Sequence, residues 1–356
     1  MVKNILVINE GHTSNLGDKL LNQIIVKILK NNNVMNEKYV PIETDESMEK
    51  EILVGPTPRW VNVKNKIIGR LGLTLFFNDI KYKRLITKRL KDKNIDLAII
   101  GGGELISDNA NFNAAFYNWV KVLNKKKIPI IVTGVSGNKT NIKMKARYKE
   151  AFDLCEEISV RDMSTQRLLE KEYDIISEYV PDYAFLYKKL MDNTVVRMKD
   201  NSITVQIYCK HYLPQGVFEG SEEEYFQFWI DMIQKSLKYS EAQIKLSYTN
   251  KEDREYTRKF YDYCVTKKIF KNIVIAETDS IEKYVEVIKS TSAIITGRMH
   301  AMILAMMYEN ELYPYVFKEK IQTFKEEWIE SEKSVESAVE QVEEFIGRLK
   351  EKWELI

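Results

Sequence analysis

The chain has 356 residues, of which 44% are hydrophobic and 30% are charged, and its formal net charge is +2 at pH 7. Such a chain is long enough for two folded domains, and its overall charge indicates no particular partner. No apolar run reaches the roughly 18–20 residues that cross a bilayer. The three cysteines stand far apart without a paired spacing, which argues against a disulfide framework and against a zinc site.

The N-terminus predicts a strand followed by a helix. Residues 3–9 form a short apolar run that lacks the long apolar stretch and the small-residue cleavage site of a signal peptide. We therefore expect a first strand, in a protein of the reducing cytoplasm. A polar loop follows at 11–17, and from Asp18 the apolar residues recur at helical spacing.

The later strand-like segments alternate with helix-like ones in two sets, a pattern that predicts parallel sheets. The first set comprises 94–103, 127–134, 157–160 and 178–181, and the second comprises 203–208, 243–248, 273–276 and 293–296. A polar linker separates the sets near 187–202, and the tail from Ser334 has the apolar spacing of an amphipathic helix.

These patterns predict two Rossmann-like α/β domains that face a cleft, followed by a C-terminal amphipathic helix. The predicted limits are 1–190, 200–330 and 331–356. The arrangement is like that of the glycosyltransferase-B enzymes, a comparison that rests on analogy because strand counts alone do not specify topology.

The segment with the most chemical information is the Gly297-Arg298-Met299-His300 turn, which follows a β-branched apolar run and precedes an apolar helix. In α/β proteins, ligands bind at the carboxyl ends of such strands. An arginine there can hold an anion, and a histidine can move a proton. The alternatives are an arginine in a structural ion pair and a structural histidine.

The loop after the first strand contains Asn15, Gly17 and Asp18. Glycine allows close backbone approach to a ligand, and the start of the following helix attracts anions. Asp18 is a candidate general base or a partner for a sugar hydroxyl. Its alternative role is to cap the helix.

The strand 94–103 ends in a glycine triplet that includes Gly102 and Gly103, with Asp108 a few residues further on. We expect a loop there that packs against a ligand or against the other domain. The alternative is a tight strand-to-helix turn.

Two further strand ends carry charged residues. Arg161 follows the strand 157–160 and can clamp a carboxylate or a phosphate, although a local ion pair or helix cap is the alternative. Asp182 follows Pro181 and either faces the cleft or accepts hydrogen bonds within a turn.

The segment 59–93 contains eleven basic residues against two acidic ones, interleaved with aromatic and aliphatic residues. Such a segment can lie on an anionic membrane surface at the inner face of the cell membrane, or it can steer an anionic acceptor. The alternative is a pair of solvated helices with their apolar faces in the core. No recognised nucleic-acid-binding motif accompanies the charge, so we expect no nucleic acid partner.

Several motifs are absent from the sequence. It has no Walker A loop, no clean Gly-x-Gly-x-x-Gly element, no nucleophile elbow and no clustered histidines and cysteines. ATPases, dehydrogenases, hydrolases and metalloenzymes are disfavoured accordingly.

Taken together, the motifs resemble those of the polysaccharide pyruvyl transferase family, over about residues 5–310. The elements that match are Asn15–Asp18, Gly101–Asp108, Ser159–Asp162, Pro181–Asp182 and Gly297–Ala301. The chain departs from the family at 134–138, where Gly-Val-Ser-Gly-Asn replaces a glycine-rich stretch that ends in Gly-Pro.

The resemblance implies transfer of pyruvate from phosphoenolpyruvate to two hydroxyls of a sugar during synthesis of a surface polysaccharide, capsule or exopolysaccharide. The N-terminal domain would hold the sugar, which can be lipid-linked. Phosphoenolpyruvate is then a co-substrate, and neither a metal ion nor another cofactor is required.

In this scheme, His300 is the acid and base, Arg298 and Arg161 clamp phosphoenolpyruvate from opposite domains, and Asp18 orients or deprotonates the acceptor. The other expected acceptor or loop contacts are Asn15, Gly17, Gly102, Gly103, Asp108 and Asp182.

Two alternatives remain open. A nucleotide-sugar glycosyltransferase would need an acid to hold the ribose, and Glu277 lies near the right place. A catalytically silent homologue would hold an assembly of polysaccharide enzymes together, although the intact Arg298 and His300 argue against it.

Overall fold

The computed structural model describes residues 1–41, 74–192, 199–236 and 242–356. In these ranges, parallel strands alternate with helices, as the sequence predicts. The strands are β1 (Asn4–Asn9), β2 (Asn33–Lys38), β3 (Leu97–Ile106), β4 (Ile130–Gly137), β5 (Glu157–Val160), β6 (Glu178–Tyr179), β7 (Asp200–Gln206), β8 (Gln243–Ser247), β9 (Ile273–Ile275), β10 (Thr291–Thr296) and β11 (Glu311–Pro314). The α-helices are α1 (Leu16–Ile28), α2 (Thr74–Arg89), α3 (Ala110–Lys125), α4 (Ile142–Phe152), α5 (Met163–Leu168), α6 (Tyr187–Met191), α7 (Glu222–Ser236), α8 (Lys251–Thr266), α9 (Ile281–Ser290), α10 (Met299–Met307), α11 (Glu319–Phe324) and α12 (Val335–Lys352).

The chain forms two compact units. The first consists of Met1–Glu10, Leu29–Val180 and Leu349–Ile356, and the second consists of Gly11–Ile28 and Pro181–Arg348. Helix α1 therefore packs with the C-terminal half of the chain, which its position in the sequence does not indicate.

Each unit has one sheet in which the strand order reverses beside its first strand. The order is β2-β1-β3-β4-β5-β6 in the first unit and β11-β10-β7-β8-β9 in the second. Ligands of doubly wound sheets bind beyond the carboxyl ends of the strands at this reversal. In the second unit the reversal lies between β7 and β10, so the residues that follow these two strands are the first candidates for a site.

Each sheet is buried by large apolar side chains from its helices. In the first unit Trp119 is fully buried, and its indole N–H donates to the Tyr39 carbonyl over 2.8 Å. In the second unit Trp229 and Phe260 are fully buried. Helix α12 buries Ala338, Val342 and Phe345 on one face, the spacing of an amphipathic helix. No helix within the described ranges has both the length and the apolar character needed to cross a bilayer.

The glycine triplet does not end its strand, because β3 continues through it to Ile106. A Cβ at Gly101 would lie 1.9 Å from the Thr133 carbonyl oxygen of β4, and Gly102 and Gly103 have φ angles of 78° and 142°. The triplet therefore allows β3 to approach β4 closely in a backbone conformation that other residues rarely adopt. The strand therefore ends three residues later than the sequence predicts.

Two glycine-to-alanine substitutions should have opposite effects on stability. Gly101→Ala should destabilise the protein by about 1–3 kcal/mol, because the new methyl group meets backbone that cannot easily move. Gly347→Ala lies in helix α12 with open space around the added Cβ, so it should stabilise by about 0.5–1 kcal/mol. Urea unfolding of both variants tests this, and equal stability of Gly101→Ala and the parent would contradict the close β3–β4 packing.

Candidate functional site in the second unit

The turn after β10 adopts the strand-to-helix form that the sequence predicts. Arg298 is the N-cap residue of α10, with extended backbone angles of φ −101° and ψ 115°. Its N–H donates to the Thr296 hydroxyl over 2.9 Å, and that hydroxyl donates to the Gln206 side-chain oxygen on β7 over 2.7 Å. The turn is thereby fixed at the β7–β10 reversal of strand order.

The Arg298 side chain is held from two directions. Its guanidinium donates to the carboxylate of Asp253, and its central carbon lies 4.3 Å from the centre of the Tyr208 ring. Stacking and ion pairing together fix the plane of the guanidinium. The side chain remains 22% exposed, so this oriented cation is within reach of a ligand.

Asp253 is a buried carboxylate with donors on both oxygens. The Cys209 backbone N–H and the Thr249 hydroxyl each donate to it over 3.3 Å, in addition to Arg298. Burial raises the pKa of Asp253, and the neighbouring guanidinium opposes part of that rise. The sequence does not mark Asp253 as a site residue, because Asn250 followed by Asp253 has the pattern of an ordinary helix start. The Asn250 side chain does accept a hydrogen bond from the Asp253 N–H.

His300 lies in the first turn of α10 between a carboxylate and a glycine. Its Nε2 is 3.6 Å from an oxygen of Asp182, a contact that is an ion pair only when the imidazole is protonated. On the other side of the ring, a Cβ on Gly17 would lie 2.1 Å from Nδ1. The missing side chain of Gly17 thus makes the space that the imidazole occupies.

Asp182 accepts a hydrogen bond within its turn, which is one of the two roles that the sequence left open. One oxygen accepts the Ala184 N–H over 2.8 Å and caps the 3₁₀ turn Tyr183–Leu186, while the other oxygen faces His300. The carboxylate is only 4% exposed, so the turn holds it in place beside the imidazole.

The start of α1 brings the Asn15–Asp18 element to the same part of the second unit. The Asn15 side chain accepts the Gly17 N–H over 3.0 Å, and the Leu16 N–H donates to the Thr249 carbonyl over 2.9 Å. Thr249 also contacts Asp253, so one loop connects the start of α1 to the partner of Arg298. Asp18 is half-buried in the first helical turn, since the helix begins at Leu16.

The other predicted site residues belong to the first unit. Arg161 is 5% exposed, and it donates to the Ser136 hydroxyl over 2.9 Å. Asp108 is exposed and accepts from the backbone and the side chain of Asn141. Gly102 and Gly103 lie within β3, as described above. The structure thus groups Asn15, Gly17, Asp18, Asp182, Arg298 and His300 in one unit, and it places Gly102, Gly103, Asp108 and Arg161 in the other.

The model of one protein family, described as polysaccharide pyruvyl transferase, matches residues 15–309. The matched stretch begins at Asn15 and includes Arg298 and His300. The chain belongs to the polysaccharide pyruvyl transferase family. No match was found among curated protein sequences.

Three solved structures of similar fold cover nearly the whole of this family member. S. aureus MnaA with UDP has a TM-score of 0.54 at 12% sequence identity. The alignment covers 100% of this chain and 98% of the MnaA chain. UDP-GlcNAc 2-epimerase from Methanocaldococcus jannaschii, with UDP-GlcNAc and UDP, has a TM-score of 0.52 at 14% identity, with coverages of 97% and 93%. The Neisseria meningitidis UDP-GlcNAc 2-epimerase bound to UDP-GlcNAc has a TM-score of 0.51 at 12% identity, with coverages of 98% and 92%. At these identities the similarity shows the fold, which is glycosyltransferase-B-like.

Glu277 of this pyruvyl transferase family member is engaged by its neighbours. The Tyr248 hydroxyl donates to it, and Arg254 and Arg258 pair with it over 3.0 and 3.4 Å. The Tyr248 hydrogen bond, together with the two guanidinium groups, lowers the pKa of Glu277. Ribose binding by Glu277 would therefore compete with these contacts. Within the described ranges, no group of three or more histidine, cysteine, aspartate and glutamate residues is placed to hold a metal ion.

Gly17→Ala should displace the His300 ring, because the added methyl group would occupy the position of Nδ1. We expect the imidazole NMR signals of His300 to move while those of the exposed His211 stay in place, with a stability loss of about 1–3 kcal/mol. Gly347→Ala is the matched control and should leave all three histidine spectra unchanged. An unchanged His300 spectrum in Gly17→Ala would contradict the packing.

Arg298→Leu should destabilise the protein in a pH-dependent way. Removing the guanidinium lets burial raise the pKa of Asp253 further in the folded state. The folded variant then holds this proton where the folded parent has released it, so its stability relative to the parent falls as pH rises above the pKa of Asp253 in the folded parent, which burial already places above the ordinary aspartate value. Each further pKa unit costs about 1.4 kcal/mol.

Urea unfolding of the parent and Arg298→Leu between pH 3 and 8, expressed as the difference in unfolding free energy, measures this effect. The double variant Asp253→Asn with Arg298→Leu should show no such slope. A difference that is constant with pH in the single variant would mean that Asp253 does not depend on Arg298.

Proposed function

We propose that this chain transfers pyruvate from phosphoenolpyruvate to two hydroxyls of a sugar, forming a cyclic ketal in surface or exopolysaccharide synthesis. Family membership supports the reaction class. The observation that carries the proposal is the meeting of Arg298 and His300 with Gly17 and Asp182 at the β7–β10 reversal of the second unit.

The donor requires cationic contacts, since phosphoenolpyruvate carries a phosphate and a carboxylate. Arg298 is pre-oriented by Asp253 and Tyr208, and its guanidinium has five N–H donors, more than Asp253 alone can accept. It lies at the start of α10, where the helix dipole is positive and where no side chain of the described residues caps the helix. Arg161, in the first unit, is proposed as the second cation.

The reaction moves two protons and breaks one carbon–oxygen bond. Protonated His300 gives a proton to the methylene carbon of phosphoenolpyruvate, which becomes a methyl group, while one sugar hydroxyl attacks C2. Phosphate then leaves with the electrons of the C2–oxygen bond, and the second hydroxyl attacks C2 to close the ketal. The proton of the first hydroxyl restores His300, and that of the second is carried away by phosphate, so no oxidant, metal ion or other cofactor is needed.

Asp182 and Asp18 are proposed to serve this chemistry in different ways. Asp182 orients the His300 ring and pairs with it when the ring is protonated. Asp18, in the first turn of α1, is proposed to orient or deprotonate an acceptor hydroxyl, with Asn15 and Gly17 nearby. Acceptor contacts by Gly102, Gly103 and Asp108 of the first unit remain predictions.

Calorimetric titration of the protein with phosphoenolpyruvate tests the proposal. Saturable binding should weaken roughly 10- to 100-fold in Arg298→Ala, the loss expected for a charge-assisted hydrogen bond, and partly recover in Arg298→Lys. His300→Gln should bind phosphoenolpyruvate like the parent and lose roughly 10²- to 10⁴-fold in phosphate release with a suitable acceptor.

Arg258→Ala is the matched arginine control, because its guanidinium pairs with Glu277 rather than with Asp253. It should retain phosphoenolpyruvate affinity. Binding of nucleotide diphosphates alone, sensitive to Glu277→Gln, would replace the proposal with nucleotide-sugar transfer. If the protein binds neither phosphoenolpyruvate nor nucleotide diphosphates when the acceptor is present, the result would favour the catalytically silent homologue that holds polysaccharide enzymes together.

A further inference from the structure

Helix α2 in the first unit has an inner face that is firmly anchored. Leu75, Tyr82, Leu85 and Ile86 are buried. Asp79 accepts two hydrogen bonds from the Arg147 guanidinium, over 2.6 and 2.8 Å. The Tyr82 hydroxyl donates to the side chain of Asn111 over 3.1 Å. These contacts fix the rotation of the helix, and hence which residues its outer face presents.

The outer face of α2 combines large apolar side chains with cations. Phe76, Phe77 and Ile80 are 58%, 48% and 55% exposed in the first two turns. The following turns expose basic residues and one threonine: Lys81, Lys83, Arg84, Thr87 and Lys88. At 100° per residue these eight positions cover an arc of roughly 160°, with no acidic residue among them. Residues 59–73 of the basic segment lie outside the described residues.

We propose that this outer face of α2 binds an anionic lipid bilayer surface. Two phenylalanines and an isoleucine can enter the boundary between headgroups and acyl chains, as the apolar face of an interfacial helix does. The neighbouring cations complement anionic headgroups, each contributing roughly a fivefold gain in partitioning. Three adjacent exposed apolar side chains exceed the single ones that a soluble surface ordinarily shows.

Charge also argues against a second copy of this chain as the occupant. Two such faces would bring Lys81, Lys83, Arg84 and Lys88 against the same four residues of the other copy, with no acid on either face to offset them. The proposal does not depend on the proposed function, because binding to vesicles requires neither phosphoenolpyruvate nor turnover.

The test is co-sedimentation of the full chain with vesicles of phosphatidylcholine alone or with phosphatidylglycerol added. We expect binding to the anionic vesicles only, weakened by salt. Replacing the four cations by glutamate should lower the partition coefficient at least roughly 100-fold. The triple variant Phe76→Ser, Phe77→Ser and Ile80→Ser should also release the protein, since these side chains are exposed and their replacement spares the core.

Matched controls come from the same unit. Four exposed lysines elsewhere, Lys125, Lys139, Lys143 and Lys171, changed to glutamate, alter the net charge equally and should leave binding within a fewfold of the parent. Ile142→Ser with Ile176→Ser removes two other exposed apolar side chains and should likewise retain binding. Unchanged thermal unfolding of the α2 variants verifies their fold.

Three results would overturn the proposal. The first is absence of binding to anionic vesicles. The second is equal loss of binding in the control and α2 variants, which would indicate non-specific attraction. The third is a parent dimer that the triple serine variant converts to a monomer without any vesicle binding, which would assign the face to a second copy.

Discussion

The space left by the missing side chain of Gly17 determines how the candidate site is assembled. The His300 imidazole occupies that space, so α1 and α10 can approach only with glycine at this position. The opposite side of the ring faces Asp182, whose second oxygen is committed to the turn that follows it. A histidine between a glycine backbone and a fixed carboxylate has few rotamers available. Its orientation is therefore set before any ligand binds.

Electrostatics orients the other half of the site. A buried carboxylate is unfavourable by itself, and Asp253 is stabilised by donors from Thr249, Cys209 and Arg298. The same ion pair holds Arg298 over Tyr208, so the burial of Asp253 and the positioning of the cation are one arrangement. A ligand that displaced Asp253 would leave its charge uncompensated, which favours ligands that add to the pair rather than replace it.

Much of the fold follows from local sequence, because β-branched runs and helical spacing reveal parallel strands and their helices. The turn at Gly297–His300 is of this kind, since the strand, the glycine and the apolar helix are contiguous. The continuation of β3 through Gly101 does not follow from local sequence, because it depends on the approach of Thr133 from another strand. The part that Asp253 plays in the site cannot be predicted from local sequence for a similar reason. Its local pattern is that of a helix start, and its partner Arg298 lies far away in the sequence.

The division of the chain between the two units has a consequence for biosynthesis. Residues 11–28 leave the ribosome well before Pro181–Arg348, the segment whose surface covers Leu20, Leu21 and Ile24. Conversely, the first unit includes Leu349–Ile356, with Lys352 paired to Glu157, and this segment emerges only after the second unit has been made. Neither unit can close during synthesis before its C-terminal segment, Pro181–Arg348 or Leu349–Ile356, has been made. Nascent chains should therefore carry an uncovered apolar α1 until Pro181–Arg348 has been made, and they should depend on chaperones that hold such surfaces.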